Sequence, residues 1–376
     1  MLTVAIERVN SYDAAEIETG LARLLQHLGG IGTFVSPGDR VLIKPNLLAA
    51  KPPEAAVTTH PALVRAVITA VQDAGGVPLV GDSPGIGGIN AVAERTGMRQ
   101  VLADTGAELV PFQEVRTVTA GGTFQRIELA VPYLAADRII NLPKLKTHEM
   151  MTLTCAVKNL FGAVVGAAKP AWHLKAGVDR EIFARLLLEI YQVRPPELHI
   201  VDAVVAMEGN GPNSGDPRQV GLLLAGTNPL AVDQIAAEIA GIPQRLLYVQ
   251  QEAARLRLDG SDRSAITTVG LPLADARCDH PFALPHQTDI QFGLPRFLKN
   301  HLRRHATARP AAIEDRCIRC GICVAACPPR AMQIADNRLL IDDQLCIRCF
   351  CCRELCPHAA LTIHEGLLAR LIHRFL

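Results

Sequence analysis

Residues 1 to about 270 alternate short apolar runs with segments of helical periodicity. The runs "DRVLIKPN" and "VPLVGDSPG" are apolar and end in polar or turn residues, as buried strands do. Between them, "HPALVRAVITAVQDAGG" repeats its apolar positions with a helical period and ends at Gly75. Because this alternation continues through "LHIVDAVVAMEGNGPNSG", the pattern predicts a layered α/β domain with a mixed or parallel sheet over residues 1–270.

The regularity is lost over residues 271–310, where five prolines interrupt the chain, so this segment is predicted to be a proline-containing linker. It is also basic, with Arg296, Lys299, Arg303, Arg304 and Arg309. We favour a solvated basic face. The alternative is a docking patch for an acidic redox partner.

Residues 366–376 place their apolar side chains on one helical stripe. This pattern predicts an amphipathic C-terminal helix that packs on its own protein, with contact to a membrane surface as the alternative. No transmembrane helix is expected, since Lys158 and Asn159 interrupt the most apolar stretch of the chain. The first residues lack the apolar core of a signal peptide, so we expect a cytoplasmic protein.

Composition narrows the functional classes. A chain of 376 residues with 49% hydrophobic residues is long enough for two or three domains. Its 38 basic and 37 acidic residues leave a net charge of +1, which gives no argument for binding nucleic acid. Nine of the 11 cysteines fall between residues 317 and 356, which favours a cofactor site in a reducing compartment over a disulfide framework.

Eight of these cysteines form two copies of the spacing C-x2-C-x2-C-x3-C-P. The copies are Cys317, Cys320, Cys323 and Cys327, and Cys346, Cys349, Cys352 and Cys356. Structural zinc is the alternative, but zinc sites normally use two pairs of cysteines separated by a longer loop. In proteins with two clusters the fourth cysteine of each copy binds the other cluster, so Cys356 is expected to complete the first cluster and Cys327 the second.

The two copies are related by a constant offset of 29 residues, which predicts a pseudo-twofold pair. The segment between them alternates around Asp336 and Asn337 and predicts a short hairpin. Residues 311–365 closely resemble the bacterial two-[4Fe–4S] ferredoxins. The resemblance implies a small α+β dicluster domain with two [4Fe–4S] clusters. Cys351 has Ile322 as its counterpart in the first copy, so it is expected to be a small buried residue without a ligand role.

Polar side chains follow several predicted strands, where ligands bind in open α/β sheets. The predicted catalytic residues are Lys144, Lys146 and His148, and the predicted ligand-binding residues are Lys44, Asn46, Asp82, Lys158, Asn159 and His173. Lysines beside apolar segments, with carboxylates opposite, are suited to a small anionic substrate or cofactor. The alternative is structural, because Ser83, His60 and Asn228 each precede a proline and are predicted to cap helices instead.

The sequence has neither G-x-G-x-x-G after its first strand nor a P-loop, so neither a dinucleotide nor a nucleoside triphosphate is indicated. The phrases "VLIKPNLL", "TTHP", "VGDSPG", "LPKLKTH", "AVKNLFG" and "DAVVAMEGNGP" together resemble the DUF362 family over residues 40 to 240.

The resemblance implies a domain often fused to ferredoxin modules, without an assigned activity. Our first hypothesis is a redox protein that passes electrons between the clusters and a bound anion. If it is an enzyme, it is a ferredoxin-linked oxidoreductase, and a redox partner protein is expected. The alternatives are a non-catalytic electron-transfer or assembly subunit, and structural clusters beside redox-neutral chemistry.

Overall fold

A computed structural model describes residues 1–85, 87–166, 169, 172, 180–285, 309–327, 329–343, 345–346 and 350–364. The strands of the first 270 residues are β1 Leu2–Arg8, β2 Arg40–Pro45, β3 Val77–Val80, β4 Glu108–Leu109, β5 Val115–Thr119, β6 Arg126–Ala130, β7 Arg138–Leu142, β8 Lys144–His148, β9 Thr152–Thr154, β10 Leu198–Glu208, β11 Asp216–Gly226 and β12 Ile266–Gly270. The α-helices of residues 1–285 are α1 Ala14–Gln26, α2 Pro61–Asp73, α3 Ile89–Arg95, α4 Met98–Thr105, α5 Val131–Ala135, α6 Ala156–Asn159, α7 Arg180–Val193, α8 Pro229–Ile239, α9 Tyr248–Arg255 and α10 Leu273–Ala276. Short 3₁₀ turns cover Ile31–Thr33, Pro53–Ala55, Leu160–Ala163, Gln244–Leu246 and Arg263–Ala265.

The main sheet is mixed, as the alternation of elements predicts. Its order is β12-β1-β11-β10-β7-β2-β3-β4, with β8 beside β10 and β9 beside β8. Strands β10, β7, β2, β3 and β4 run parallel, whereas β11 is antiparallel to both of its neighbours. Parallel strands bring their carboxyl ends to one edge of the sheet, and the polar residues after β2 and β3 meet there.

The predicted strand, helix, strand unit is confirmed as β2, α2 and β3, with β2 and β3 parallel neighbours. Val41 and Ile43 point into the core formed with α1 and α2, while Leu42 points to the opposite face. Helix α2 begins after His60, whose Nδ1 accepts from the Ala62 N–H, so the predicted cap is confirmed. Side chains on both faces of the sheet are buried under helices, so the domain has three layers, with the sheet in the middle.

The other face of the sheet is covered mainly by α7, α8 and α9. The helix α8 packs Val232 and Ile235 against residues of β1 and β11, and Asn228 caps it by accepting from the Leu230 and Ala231 N–H groups. The predicted cap at Asn228 is therefore confirmed. Each fully buried aliphatic side chain of this kind stabilises the fold by roughly 1.5–3 kcal/mol.

The run "IINLPKLKTH" forms the two strands β7 and β8, which Pro143 separates. Strand β7 ends at Leu142 because Pro143 has no N–H to continue the ladder. The chain then shifts sideways, and β8 pairs with β10 and β9. Every residue of β8 is buried, so its charged side chains require partners inside the protein.

The described start of the predicted linker packs on the α/β domain. Phe282 is buried in the core around α8, and the Arg218 guanidinium donates to the Pro281 carbonyl oxygen. The described residues of the segment therefore dock on the domain. The basic residues Arg296, Lys299, Arg303 and Arg304 and the predicted helix over 366–376 lie outside the described residues. The domain boundaries stay a prediction.

The C-terminal module is small and contains both helices and strands, as expected. Its elements are β13 Arg309–Ala312, α11 Ile322–Ala325, β14 Met332–Ala335, β15 Arg338–Ile341, α12 Cys351–Glu354 and β16 Leu361–His364. Strands β14 and β15 form the predicted hairpin, and Asp336 and Asn337 have φ of 49° and 57°, which a tight hairpin turn requires. Among the described helices, none is both long and apolar enough to cross a membrane.

Candidate functional site

A pocket of about 90 Å³ lies where the strands β2 and β3 end. Its polar lining combines residues that are distant in sequence: Asn46, Asp82, Ser83, Lys146, Thr154, Lys158, Asn159 and Lys169. Its apolar lining includes Leu48, Phe161, Pro212 and Leu355. The pocket therefore contains several of the predicted ligand-binding residues, with three lysines and one carboxylate.

Lys44 lies behind the pocket wall in a buried ion pair with Asp82. The Lys44 Nζ is 2.8 Å from Asp82 Oδ1, and both side chains are almost fully buried. The other carboxylate oxygen of Asp82 accepts from the Leu47 N–H at 2.8 Å. Burial lowers the pKa of Lys44, and the negative charge of Asp82 opposes that shift. The pair holds the loops after β2 and β3 together, and Asp82 presents the pair to the pocket.

Gly162 allows this ion pair to lie directly against the turn that follows α6. A Cβ atom at position 162 would overlap both the Asp82 carboxylate and the Lys44 ammonium group. The backbone of Gly162 forms part of the pocket lining. A glycine is thus required at this position by the close approach of the backbone to a buried ion pair.

Lys146 extends from β8 into the pocket. Its Nζ donates to Asn46 Oδ1 at 3.0 Å and to the Val57 carbonyl oxygen at 2.7 Å. Both acceptors are uncharged, so the ammonium charge is not neutralised by them. These two oxygen atoms hold the Lys146 ammonium group at the wall of the pocket.

Lys158 and Lys169 complete the positive lining of the pocket. The Lys169 ammonium donates to the Ser83 carbonyl oxygen. Burial lowers the pKa of Lys169 to about 8, the Asp82 charge opposes this shift, and the nearby Lys44 and Lys158 reinforce it. Lysines exceed carboxylates around the pocket, so its chemistry favours an anion.

Lys144 and His148 do not line this pocket, which corrects their predicted grouping with Lys146. The Lys144 Nζ lies 2.9 Å from Asp202 Oδ2 and 2.7 Å from the Tyr12 hydroxyl oxygen, so its charge is balanced inside the protein. His148 Nδ1 accepts from two N–H groups of the turn after β8, at 3.0 and 3.1 Å. Alternation along a strand would place Lys144 and Lys146 on one face, but the pairing of β8 with β10 is irregular between them, so Lys144 lies opposite Asp202 and Lys146 opposite Met207.

Two further predictions concern Ser83 and His173. Ser83 is no helix cap, since α3 begins only at Ile89; its Oγ instead accepts from the Gly166 N–H at 2.7 Å. His173 lies outside the described residues.

The short helix α6 carries Lys158 and Asn159 to the pocket and is held by a distant carboxylate. Asp233 of α8 accepts from the Ala156 N–H at 2.5 Å and from the Val157 N–H at 3.2 Å. Burial raises the pKa of Asp233 to about 7, and its hydrogen bonds oppose this rise. The carboxylate thus satisfies backbone groups at the start of α6 and fixes its position.

In the C-terminal module, four cysteines surround a cavity of about 20 Å³. They are Cys317, Cys320, Cys323 and Cys356, the set expected for the first cluster. Burial raises the pKa of the Cys323 thiol to about 11, and the nearby sulfur atoms of Cys356, Cys317 and Cys320 add to this rise. Iron–sulfur clusters are bound by four cysteine thiolates. The four cysteines around this cavity therefore fit a [4Fe–4S] cluster.

Two equivalent hydrogen bonds are found at the fourth cysteines. The Ala331 N–H donates to Cys327 Sγ and the Ala360 N–H donates to Cys356 Sγ, both at 3.2 Å. The donors and acceptors are each separated by 29 residues, as the pseudo-twofold repeat predicts. Such N–H donors stabilise thiolate ligands and influence cluster potentials.

The second set of cysteines is only partly described. Cys327, Cys346 and Cys352 lie in the described residues, whereas Cys349 and the side chain of Cys351 lie outside them. No three His, Cys, Asp or Glu side chains in the described part of the chain are placed to hold a single metal ion. The number of clusters and the ligand assignment stay predictions.

The module meets the α/β domain beside the pocket, along the residues before and after Cys356. Leu355 lines the pocket, the Lys51 Nζ donates to the Pro357 carbonyl oxygen at 3.0 Å, and the Asn213 Nδ2 donates to the Cys356 carbonyl oxygen at 3.5 Å. Arg353 and Glu149 add a buried ion pair. We call these contacts the seam.

Comparison with known proteins identifies both parts of the chain. Residues 41–238 match the domain of unknown function DUF362, and residues 309–357 match a 4Fe-4S dicluster domain. A protein of Synechocystis sp., named thylakoid-associated protein sll1697, is 40% identical over 299 residues, which cover 79% of this chain and 92% of the relative. The chain belongs to the DUF362 family.

A solved structure with a detectable likeness is the lactate racemase apoprotein from Thermoanaerobacterium thermosaccharolyticum. The match has a TM-score of 0.42 and 11% identity, and covers 64% of this chain and 58% of the racemase chain. At this level of similarity the match contributes nothing to the functional argument.

Two important residues of the DUF362 domain were not identified from the sequence. Asp233 and Gly162 were overlooked, although Gly162 belongs to the phrase "AVKNLFG". Asp233 lies 77 residues from the N–H group it accepts from, so no local pattern indicates its role. The cytoplasmic location expected from the sequence stays a prediction.

Proposed function

We propose that this protein exchanges electrons between its dicluster module and a small anionic ligand bound in the pocket of the DUF362 domain. The observation that carries the proposal is the position of Leu355. It forms part of the pocket wall and directly precedes Cys356, a predicted ligand of the first cluster. A ligand in the pocket would therefore lie beside the cluster site.

The pocket residues have different roles in binding the anion. Lys146, Lys158 and Lys169 attract and orient the anion, and the buried Lys44–Asp82 pair keeps the surrounding loops in place. Leu48, Phe161 and Leu355 exclude water, which strengthens electrostatic attraction to the bound anion. The [4Fe–4S] clusters supply one-electron transfer when bound.

If the bound anion is oxidised or reduced, the protein is a ferredoxin-linked oxidoreductase, and a redox partner protein delivers or removes the electrons. A second candidate is a non-catalytic electron-transfer or assembly subunit. Two apolar side chains of the module favour it, because Ile318 is 61% exposed and Leu345 is 51% exposed. Exposed apolar residues beside a redox centre suit contact with another protein.

The test uses the anaerobically purified full chain and sulfate as a probe of constant charge. We expect sulfate to raise the thermal unfolding temperature of the wild-type protein and to have little effect on Lys146→Met, with the cluster spectrum unchanged. Methionine retains most of the packing of the lysine side chain and removes its charge. Mass spectrometry of small molecules that co-purify with the protein then identifies the natural ligand.

The matched control is the double variant Lys144→Met with Asp202→Asn, which alters a buried lysine of the same strand and its partner outside the pocket. This variant is expected to keep the sulfate response. If Lys146→Met and Lys158→Met both retain the full sulfate response, the anion pocket is refuted. If sulfate binds but the clusters neither reduce nor oxidise any co-purifying molecule, the non-catalytic candidate is favoured.

A further inference from the structure

A chain of hydrogen bonds runs from the pocket into the core of the DUF362 domain. Lys146 Nζ donates to Asn46 Oδ1 at 3.0 Å, and Asn46 Nδ2 donates to Asn159 Oδ1 at 2.8 Å. Asn159 Nδ2 donates to Asn141 Oδ1 at 2.8 Å, and Asn141 Nδ2 lies 3.0 Å from His199 Nδ1. We call these five residues the relay. It connects β8, α6, β7 and β10 through side chains that are buried or half-buried.

The direction of the relay is fixed by groups that can only donate or only accept. Asn141 Nδ2 also lies 2.9 Å from the Ala156 carbonyl oxygen, and Asn159 Nδ2 lies 3.4 Å from the Lys44 carbonyl oxygen. A carbonyl oxygen only accepts, so the nitrogen of each amide must face it. At the other end the Lys146 ammonium only donates, so Asn46 must present its oxygen. All three amides are oriented consistently by these independent constraints.

We infer that Asn141, which does not line the pocket, is a positioning residue that holds Lys146 in its anion-binding orientation through Asn159 and Asn46. The inference rests on the proposed function. The same polarity requires His199 to accept with Nδ1 and therefore to carry its proton on Nε2. Burial lowers the pKa of His199 to about 3, which keeps the ring neutral and the relay in one direction.

The relay also determines how an anion is recognised. Both N–H groups of the Asn159 amide are used by Asn141 Oδ1 and the Lys44 carbonyl oxygen, and one N–H of the Asn46 amide is used by Asn159 Oδ1, although both residues line the pocket. Among the polar side chains of the lining, an anion therefore meets mainly ammonium and hydroxyl groups. Such a pocket selects its ligand by charge and size, and its affinity for the anion depends on how firmly Lys146 is held.

The first test is the wild-type tautomer of His199. Nitrogen-15 NMR distinguishes the two neutral imidazole forms, and the signal is assigned by its loss in His199→Gln. We expect the Nε2–H form in the oxidised protein at neutral pH. The Nδ1–H form would set two donors, Asn141 Nδ2 and His199 Nδ1, against each other and overturn the inference, whatever the behaviour of the variants.

The second test measures sulfate affinity of Asn141→Leu by calorimetry on the full chain. Without Asn141 the Asn159 and Asn46 amides lose their fixed orientation, so we expect affinity to fall about tenfold. The matched control is Gln250→Leu, which removes another buried amide bonded to a backbone carbonyl oxygen, in α9. We expect its affinity to stay within about twofold of wild type, despite a similar loss of stability.

A double-variant cycle tests whether Asn141 acts through Lys146. In a Lys146→Met background, Asn141→Leu is expected to change sulfate affinity by less than about twofold, because the group it positions is already absent. Equal losses in both backgrounds would overturn the inference. A fall with Lys146→Met but none with Asn141→Leu would also overturn it while leaving the proposed function intact. If Lys146→Met itself does not lower sulfate affinity, the proposed function is overturned, and the inference that rests on it is overturned with it.

Discussion

Three lysines that are equally buried have different chemical roles because their partners differ. Lys44 pairs with Asp82 and Lys144 with Asp202, whereas Lys146 donates to the Asn46 side chain and to the Val57 carbonyl oxygen. The sequence indicates that lysines after apolar runs need partners, and this much is correct. It does not indicate which carboxylate meets which lysine, because the partners are 38 and 58 residues away along the chain. The division between structural and ligand-facing lysines therefore required the fold.

Replacing Gly162 by alanine should destabilise the protein. The new methyl group would overlap the Asp82–Lys44 pair, which cannot move without leaving a buried charge unpaired. We expect a loss of about 3 kcal/mol in the free energy of unfolding, measured by urea denaturation under anaerobic conditions. Gly32→Ala is the matched control, since no atom lies within 4 Å of its added methyl group. Equal stability of the two variants would contradict the close packing at Gly162.

Sulfate affinity should fall as the pH rises through about 8. Lys169 has a pKa lowered to about 8 by burial, so its ammonium is present below that pH and lost above it, more than two units earlier than for an ordinary lysine. Sulfate keeps the same charge over this range, so a decline reports on the protein. Affinity is measured by calorimetry from pH 6.5 to 9.5.

Lys169→Arg provides the control for this pH dependence, because the guanidinium stays protonated throughout the range. The variant is expected to show a shallower decline than the wild-type protein between pH 7.5 and 9. A wild-type affinity that does not change over that interval would remove Lys169 from the anion site.

At the scale of elements, the sequence predicts well what depends on neighbouring residues. The unit of β2, α2 and β3 and the hairpin of β14 and β15 follow local periodicity and turn residues, and both are confirmed. The separate strand β8 and the position of α6 were not predicted. Strand β8 depends on a shift in strand pairing at Pro143, and the position of α6 depends on Asp233 of the distant helix α8. These features are set by tertiary contacts that local patterns do not encode.

The pairing of the two cysteine copies can be tested by iron content. If Cys356 completes the cluster of the first copy, the double variant Cys317→Ser with Cys356→Ser should lose no more iron than either single variant, since both damage one cluster. Cys317→Ser with Cys327→Ser should damage both clusters and lose roughly twice as much. Iron and sulfide are measured on anaerobically purified protein. The reverse pattern would mean that each copy binds its own cluster.

At the scale of the whole molecule, the seam joins the α/β domain and the C-terminal module. Its contacts join residues more than 140 positions apart, such as Glu149 with Arg353 and Asn213 with Cys356. The sequence predicts the two parts and their order, but it has no signal for the surface along which they meet. The buried Glu149–Arg353 pair stabilises this arrangement, because separating the two charges in a region of low dielectric costs free energy.

Arg353→Met should therefore destabilise the protein by about 3–5 kcal/mol, since it removes the guanidinium group that pairs with the buried Glu149 carboxylate. The free energy of unfolding is measured by urea denaturation. The double variant Arg353→Met with Glu149→Gln is expected to recover part of that loss, because both charges of the pair are then removed. If the single variant is as stable as the wild type, the seam is not held by this pair.

The seam also predicts coupling between the anion pocket and the first cluster. Reduction adds one negative charge to the cluster expected at Cys317, Cys320, Cys323 and Cys356, and Leu355 places the pocket beside it. A bound anion therefore disfavours reduction, so saturating sulfate should lower the midpoint potential of that cluster. If the reduced protein binds sulfate tenfold more weakly, the shift is about 59 mV for one electron.

This coupling is measured by redox titration followed by electron paramagnetic resonance, with and without sulfate. Lys146→Met should show a much smaller shift at the sulfate concentration that saturates the wild-type protein, because it binds the anion more weakly. Cys327→Ser, which damages the second cluster, should still show the shift. Reciprocity supplies an independent check, because sulfate affinity of the reduced protein must then be lower by the same factor. A shift of equal size in both clusters would point to a general salt effect, and its absence in protein that binds sulfate would separate the pocket from the electron pathway.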